Sequence, residues 1–524
     1  MKKNSFIKNV LVLLLSQIII KGAGIIYKLY LTNKTGYGDV GNALFLSAFQ
    51  IYTMCLTICS IGIPNAISSI VSAKFAVGES YGAYRILKIA IAIFGTIGFA
   101  TSIFLYYFSG IIAKTYLEIP ETKLIIKTLA PSIFIVAITS VFKGYFNGKQ
   151  KMNITANSLS LEQIVKTILT IVFVEIAANT TKNNTLIMVY IVGITTTIGN
   201  IISLIYIIIH YIKSRQEIWT DIITSKTIKK ERKRTIIKNI LNVSFPIAIC
   251  ALIGTLNKTI DAMTVVRISK NYLGEKEAIK QYGILSGKIE SLVTFPLSFN
   301  IAFTTTLIPK ISEYKAKENF EKVKQVLKMT LLTSLLIAIP CFTIMFIYST
   351  EVLSLLFPNA LVGSLMLKIS SITTIILALI QTINSYLQGM NKMKIQIISI
   401  GIGAIIKIIL NIVLINNRFI GVYGAIISNI ISFCATLIIL IYHLIKKEKL
   451  KFEINKFIIK PVLAFLVMLL TIKFCKEILF VIANSINFII SSIIGLIIYM
   501  ISVMLLQIIS RKDVKIALFG KHNV

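Results

Sequence analysis

Long apolar segments recur along the whole chain and limit what it can fold into. Runs of about 20 mostly apolar residues return throughout the 524 residues, and 20 residues of α-helix span the hydrocarbon core of a bilayer. The alternation of apolar and polar residues that marks half-buried strands is absent. With a mean hydropathy of +0.83, the sequence has too little polar surface for a soluble protein of this length. It therefore predicts an all-α, polytopic membrane protein.

The apolar segments predict about 14 transmembrane helices. Lys and Arg residues concentrate in the loops and helix ends on the side of the N-terminus, and such positive charge marks the cytoplasmic side. We therefore predict a multi-pass protein of the cytoplasmic membrane with both termini in the cytoplasm. The predicted helices are 9–30, 42–62, 89–108, 124–146, 157–178, 186–211, 240–262, 286–308, 329–349, 364–388, 395–416, 420–444, 458–480 and 486–509.

The chain contains an internal repeat. Residues 145–152 (YFNGKQKM) return 241 positions later as 386–393 (YLQGMNKM), and a segment with a central lysine, 164–169, returns as 405–410. Repeats constrain the architecture of a chain more than local patterns do. Because six helices separate the copies, both halves enter the membrane from the same side, as a parallel repeat. In transporters, the substrate path runs between such halves.

The repeat predicts four parts. Residues 1–211 form an N-terminal lobe of six helices, 212–239 a basic cytoplasmic linker, and 240–445 a C-terminal lobe of six helices. Residues 446–524 hold helices 13 and 14 and a cytoplasmic tail, with no counterpart in the repeat. The linker contains the run KKERKR at 229–234, which we interpret as a solvated segment near anionic headgroups. We predict no nucleic-acid partner.

Charges inside the predicted helices are candidate functional residues, because a charge in hydrocarbon costs about 2.5–3.5 kcal/mol even on insertion scales. Helix 1 carries Gln17, Lys21 and Lys28 on one face and has no acidic residue. Lys28 lies near the outer end, so its ammonium could instead extend to the headgroups. Lys21 lies near the middle, and we expect it to face a wet cavity where an anionic ligand can pair with it.

Three other predicted helices carry charged residues. On helix 5, Lys166 follows Glu162 by four residues, so the two could form an ion pair within the helix. Lys407 on helix 11 has no acid on its own helix, and we expect it to face the wet cavity too. On helix 7, Lys258 lies near the outer end and could either extend to the headgroups or pair with Asp261.

No motif of catalysis or cofactor binding is present in the sequence. Gly148-Lys149 lacks the spacing of a phosphate-binding loop, the three histidines are scattered, and the six cysteines lie in apolar stretches without a CxxC pair. We therefore predict neither an enzyme nor a metal or cofactor site.

Five short motifs resemble one membrane-protein family. Residues 62–68 (GIPNAIS) are similar to a Gly-Leu-Pro-x-Ala-Ile-Ser signature, 142–148 (FKGYFNG) to an Arg-Gly-Tyr-Phe-Gln-Gly turn, and 162–166 (EQIVK) to Glu-Gln-Ile-x-Arg. Residues 307–312 and 421–425 also fit. Over essentially its whole length the chain resembles the polysaccharide-biosynthesis and stage V sporulation protein B-like flippases of the MOP (MATE-like) superfamily, which are related to lipid II flippases.

The resemblance implies a fold and a function. It implies two six-helix lobes around a central cavity, alternating access, and transport of a polyprenyl-diphosphate-linked saccharide, either a peptidoglycan precursor or a related surface polysaccharide. Lys21 and Lys28 occupy positions similar to essential arginines of related flippases. The chain departs from the pattern where lysine replaces arginine at 21, 143 and 166, because lysine lacks the bidentate fork that suits phosphate.

We interpret the sequence as a lipid-linked oligosaccharide flippase. Its partners would be the lipid bilayer, the diphosphate-linked substrate, and a coupling ion (Na⁺ or H⁺) or the membrane potential. One alternative is a MATE-type multidrug or cation antiporter, which would need acidic residues for its substrate. Another is a non-transporting scaffold for a glycan or sporulation complex. The predicted substrate-binding residues are Gln17, Lys21, Lys28, Lys166, Lys258 and Lys407, with Asp261 and Glu162 in coupling or charge pairing.

Overall fold

Helices make up nearly all of the structure. The computed structural model describes residues 3–60, 62–223, 232–358, 362–450, 452–479 and 484–508, and within these ranges no strand occurs. The prediction of an all-α protein is confirmed. Contacts between residues divide the chain into two units, Met1–Gly283 and Ile284–Val524.

The first unit contains ten α-helices. A π-helical turn, Ile112–Tyr116, extends the fourth of them towards the fifth. The helices are α1 (Lys3–Asn33), α2 (Gly38–Ser60), α3 (Ile63–Ala76), α4 (Ser80–Ile111), α5 (Thr122–Gly148), α6 (Met152–Thr180), α7 (Thr185–Lys213), α8 (Arg215–Ile223), α9 (Lys233–Leu273) and α10 (Glu275–Tyr282).

The second unit also contains ten. It follows a π-helical turn at Gly283–Ile289, and another, Asn455–Ile459, precedes its last two helices. The helices are α11 (Glu290–Thr294), α12 (Leu297–Ala316), α13 (Phe320–Ile347), α14 (Ser349–Leu356), α15 (Ser364–Ser370), α16 (Thr373–Gly389), α17 (Met393–Asn416), α18 (Tyr423–Lys446), α19 (Lys460–Ile478) and α20 (Asn484–Leu505).

The long helices correspond to the predicted membrane spans. Eleven helical segments in the described ranges are long and apolar enough to cross a bilayer. Three further helices, α1, α6 and α12, contain 31, 29 and 20 residues and so have sufficient length. The chain is a polytopic helical membrane protein, and the exact count of 14 spans stays a prediction.

The repeat is visible in how α5 and α16 pack. Both end on a glycine, Gly148 and Gly389, that lies against another helix of its unit. A Cβ atom at Gly148 would lie 2.7 Å from Val71 of α3, and one at Gly389 would lie 3.0 Å from Ile311 of α12. At both repeat positions the neighbouring helix comes so close that only glycine fits without a clash.

The turn after each of these helices is also repeated. Gln150 and Asn391 both adopt positive φ, at 61° and 56°. In each turn the next lysine donates its backbone N–H to a carbonyl five residues earlier, at 2.9 Å for Lys151 and 2.8 Å for Lys392. The following helices, α6 and α17, then begin at the same repeat position. The duplication therefore extends from sequence to local backbone structure, while superposition of whole lobes stays a prediction.

The unit boundary differs from the predicted lobe boundary. Helix α9, which the repeat assigns to the C-terminal lobe, packs against α2, α3 and α4 of the first unit. Its C-terminal part is tied there by ion pairs of Arg267 and Lys270 with Glu118. By its packing, α9 thus belongs with the helices that precede the linker. The division into two lobes remains a prediction from the repeat.

Part of the predicted linker is folded. Residues Arg215–Ile223 form α8, and Glu217 receives ion pairs from Lys149 at 3.0 Å and Lys151 at 2.5 Å. The hydrogen bond from Lys151 lowers the pKa of Glu217 below its ordinary value. The first part of the linker is thus docked on the α5–α6 turn rather than solvated. Residues 224–231, with most of the basic run, and the tail 509–524 lie outside the described residues.

Candidate functional site

Helices α1 and α6 pack side by side and run in the same direction. Ser16 lies 2.8 Å from Ser160, hydroxyl to hydroxyl, and seven residues later Thr167 donates to the Ala23 carbonyl at 3.4 Å. Seven residues are two helical turns, so these contacts share one face of each helix. The constant spacing brings residues of α1 level with residues 144 positions later on α6.

This register places Lys21 level with Val165, one residue before Lys166. The Lys166 side chain is surrounded by aromatic rings: its Nζ lies 5.0 Å from the ring centroid of Tyr27, 5.6 Å from Phe49 and 5.8 Å from Phe45. A cation over an aromatic face gains about 0.5–2 kcal/mol, more where water is excluded. The rings stabilise the ammonium, and within the described residues no carboxylate forms an ion pair with it.

Glu162 pairs with a lysine that the sequence did not single out as a site residue. Its Oε2 lies 3.7 Å from Nζ of Lys143 on α5, and Lys143 is only 8% exposed. No ion pair within 4 Å joins Glu162 to Lys166 in the described part of the chain. The alternative of an ion pair within helix 5 is therefore wrong, because the Lys166 ammonium lies among the rings of α1 and α2.

The helix 1 residues differ in their surroundings. Lys28 is half-buried and donates from Nζ to Oδ1 of Asn42 at 3.1 Å, and Asn42 in turn donates to Thr32 at 3.0 Å. Lys21 is exposed and has no hydrogen bond or ion pair to any residue that the structure describes. The side chain of Gln17 lies outside the described residues.

In the second unit, Lys407 is buried. It is 1% exposed and occupies the position on α17 that Lys166 occupies on α6, the fifteenth residue of each helix. One turn earlier, α17 packs so closely on α18 that a Cβ at Gly403 would lie 2.3 Å from Thr436 Oγ1. The expectation that Lys407 faces a wet cavity is therefore wrong for this structure, since the Lys407 side chain is buried.

The two candidate residues of predicted helix 7, Lys258 and Asp261, lie on α9. On α9 the Asp261 side chain is 1% exposed, whereas Lys258 is exposed. The structure thus brings Lys28, Lys166 and Glu162 together around α1, α2, α5 and α6, and it leaves Lys258 and Asp261 on another helix of the same unit.

Two kinds of residue were missed by the sequence reasoning. Lys143 lies near the end of a predicted helix, where a lysine normally reaches water, but in the structure it is buried and pairs with Glu162 of the next helix. The rings of Phe45 and Phe49 have the spacing of ordinary packing residues, and only the fold shows that they face Lys166. In the described residues, no cluster of three or more metal-binding side chains occurs.

The fold matches solved structures of membrane transporters. A lipid II flippase MurJ in an inward closed conformation aligns with a TM-score of 0.67, covering 95% of this chain and 98% of that one at 17% identity. An inward-facing multidrug resistance MATE family transporter of the MOP superfamily aligns with a TM-score of 0.62, covering 84% and 98% at 12% identity. The class defined by the fold is therefore that of MurJ-like and MATE-like membrane proteins.

Sequence comparison identifies the family. The model of the polysaccharide biosynthesis protein family matches residues 6–315, more than half of the chain, and the MatE model matches 246–413. The chain belongs to the polysaccharide biosynthesis protein family, within the MOP superfamily. It is 25% identical over 435 residues to stage V sporulation protein B of Bacillus subtilis, covering 81% of this chain and 80% of the relative. It is 25% identical over 418 residues to the lipid II flippase MurJ of the same organism, covering 76% of each. The resemblance inferred from motifs is confirmed.

Proposed function

We propose that the chain moves a polyprenyl-diphosphate-linked saccharide, a peptidoglycan precursor or a related surface polysaccharide, across the cytoplasmic membrane by alternating access. One observation carries the proposal: cations outnumber acids at the predicted membrane depth around α1, α5 and α6. Lys21 and Lys166 form no ion pair with a carboxylate of the described residues, and Glu162 already pairs with Lys143. A diphosphate supplies the missing negative charge. The family and the two B. subtilis relatives support this substrate class.

The three lysines would act differently on the diphosphate. Lys21 is exposed and lies within one residue of the level of Lys166, so it would meet the ligand first. Lys166 is fixed by three rings and offers a charge with little loss of side-chain entropy. Lys28 is oriented by the hydrogen bond from its ammonium to Oδ1 of Asn42. Each charge-assisted hydrogen bond to phosphate is worth about 1.5–3 kcal/mol.

The remaining candidates belong to the transport cycle in this proposal. Lys258 and Lys407, with Gln17, would contact the substrate in other states, because alternating access changes which side chains reach the cavity. Asp261 and Glu162 would pair with lysines or couple transport to Na⁺, H⁺ or the membrane potential. Both termini would lie in the cytoplasm, as the distribution of Lys and Arg predicts.

The two alternatives receive less support. A cation antiporter needs a carboxylate for its substrate, and Glu162, the candidate acid on α6, is 3.7 Å from the Lys143 ammonium. A scaffold would need no lysine at Lys21, where an exposed charge near mid-membrane carries a cost that a ligand would offset. The flippase proposal accounts for both features.

The experiment is a charge series at Lys21. We expect Lys21→Arg to keep translocation of the lipid-linked saccharide in proteoliposomes, because the charge is kept. Lys21→Gln should weaken substrate binding by about 10- to 150-fold, the loss of one charge-assisted hydrogen bond. Protein abundance should be unchanged, because Lys21 has no described partner to leave unpaired.

Lys34→Gln is the matched control. Lys34 follows α1 directly and pairs with Glu175 at 2.7 Å, so its substitution should leave translocation intact. Normal translocation by an abundant Lys21→Gln protein would remove Lys21 from the site and favour the scaffold.

A further inference from the structure

A second group of lysines lines a cavity at the start of α5, at the opposite end of that helix from Lys143. The cavity, about 440 Å³ in volume, lies where the end of α4 and its π-helical turn meet the start of α5. A neighbouring cavity of about 390 Å³ shares Lys123 and Lys127 with it. The larger one is lined by Tyr106, Tyr107, Gly110, Ile111, Lys114, Thr115, Lys123 and Lys127. Neither cavity is lined by Lys21, Lys28 or Lys166.

The charges of this cavity are not compensated. Lys114, Lys123 and Lys127 form no ion pair with any carboxylate of the described residues, and Lys127 lies 4.9 Å from the ring centroid of Tyr106. Of the two acids in the loop before α5, Glu118 is held by two cations of α9. Glu121 lines only the smaller cavity. Three like charges around one space repel each other, and an anion bound there would relieve that repulsion.

Comparison of the two repeat copies shows which of the three lysines both units share and which only the first unit has. In the second unit, 241 residues after Lys127, Lys368 lies 5.1 Å from the ring centroid of Phe346. A lysine over an aromatic ring is thus common to both units. At the same offset from Lys114 and Lys123 the second unit has Leu355 and Ser364. The fold therefore does not require the two additional cations, and the first unit alone carries them.

The surroundings of the cavity point to lipid. Large apolar side chains of α4 next to it are exposed, including Phe104, Phe108 and Ile111 at 51%, 44% and 54%. Tyr106 and Tyr107, which line the cavity, are 43% and 77% exposed. Exposed tyrosines at the end of an apolar helix mark the boundary between hydrocarbon and headgroups. Lysines at that depth reach the level of lipid phosphates.

We propose that this cavity binds the phosphate group of an anionic phospholipid headgroup. Lys114, Lys123 and Lys127 would contact the phosphate, the tyrosine hydroxyls would donate to its oxygens, and the acyl chains would lie along the exposed apolar face of α4. The predicted orientation places the site in the outer leaflet, since α4 is the third span. The site is separate from the proposed transport site and does not depend on which substrate is moved.

The test measures lipid binding to the purified full-length protein. Phosphatidylglycerol is titrated into protein in phosphatidylcholine nanodiscs, and bound lipid is counted by native mass spectrometry. Each lysine near an anionic headgroup contributes about fivefold in affinity, so a Lys→Gln substitution at all three positions should weaken binding on the order of 100-fold. The triple Lys→Arg variant should bind as the wild type does. The control Lys182→Gln, an exposed lysine of the α6–α7 turn on the same predicted side, should change nothing.

Three outcomes would overturn the proposal. One is equal phosphatidylglycerol binding by the wild type and the triple Gln variant. Another is loss of binding in the Lys182→Gln control to the same degree, which would indicate general surface charge. The third is displacement of the lipid by inorganic phosphate alone at matched concentration, which would assign the cavity to a free anion. If the triple variant does not fold, the single substitution Lys127→Gln decides, with an expected loss of about fivefold.

Discussion

Three lysines at the predicted membrane depth of the first unit have three different surroundings. Lys143 pairs with Glu162, Lys166 lies among aromatic rings, and Lys21 is exposed with no partner in the described residues. A cation paired with a carboxylate contributes to the fold, whereas an unpaired one can bind an anion. Substitutions should therefore divide into those that lower stability and those that lower transport.

Glu162→Gln should lower stability. It leaves the Lys143 ammonium, 8% exposed, without its carboxylate, and breaking a buried ion pair costs about 3–5 kcal/mol. The Glu162 side chain is 31% exposed, so we expect about 2 kcal/mol, measured as the change in unfolding free energy in detergent. The double variant Lys143→Met/Glu162→Gln should recover part of the loss.

Glu175→Gln is the control for this substitution. The Glu175 side chain is 47% exposed and pairs with Lys34, so its loss should lower stability much less than the loss of Glu162 does. Equal stability of Glu162→Gln and the wild type would show that the Lys143–Glu162 pair is not structural.

The candidate residues on α1 and α6 could be predicted from the sequence, but their partners could not. A helical spacing of four places Gln17, Lys21 and Lys28 on one face whatever the fold. The Lys143–Glu162 pair joins two helices, so it depends on the register that the α5–α6 turn sets. The rings around Lys166 come from α1 and α2, more than 100 residues away in the chain.

At the scale of elements, the clearest feature is the glycine at the end of α5 and of α16. At both positions the neighbouring helix approaches closely enough to exclude a side chain. The turn that follows reverses the chain with one left-handed residue, and the next helix then carries a lysine as its fifteenth residue. The position of Lys166 therefore depends on the packing of α5 against α3.

Gly148→Ala should destabilise the protein. The new Cβ would lie 2.7 Å from Val71 and 3.0 Å from the Ser68 carbonyl, and overpacking of this kind costs about 1–3 kcal/mol. Gly95→Ala in α4 is the matched control, because no atom lies within 4 Å of its Cβ position. There the greater helix propensity of alanine should add up to about 1 kcal/mol of stability. Thermal unfolding of the purified variants measures both, and a neutral Gly148→Ala would contradict the close approach of α5 and α3.

The repeat of these elements could be read from the sequence because it preserves the glycine, the turn and the lysine at one spacing. The helical class and the approximate spans followed from apolar length. The short helices α3, α8, α10 and α14 were not predicted, since eight to fourteen residues give too little periodic signal. The docking of α8 also depends on ion pairs between distant residues, which no local pattern reveals.

At the scale of the whole molecule, the two units are alike in local structure and different in charge. Lys166 of the first unit lies among aromatic rings and Lys21 is exposed, whereas Lys407 of the second unit is 1% exposed. The sequence predicted the duplication but not this asymmetry, because burial depends on how each unit packs. We infer that the first unit supplies the main anion contacts, and the boundary at Gly283 assigns α9 to the same unit.

The most direct measurement is translocation of a polyprenyl-diphosphate-linked saccharide by the purified wild-type protein in proteoliposomes. The same vesicles would also be loaded with an organic cation typical of multidrug antiporters. We predict that the diphosphate lipid becomes accessible to an enzyme outside the vesicles faster than in protein-free vesicles, and that cation efflux stays at the protein-free rate. Cation efflux without movement of the diphosphate lipid, or movement of neither, would contradict the account.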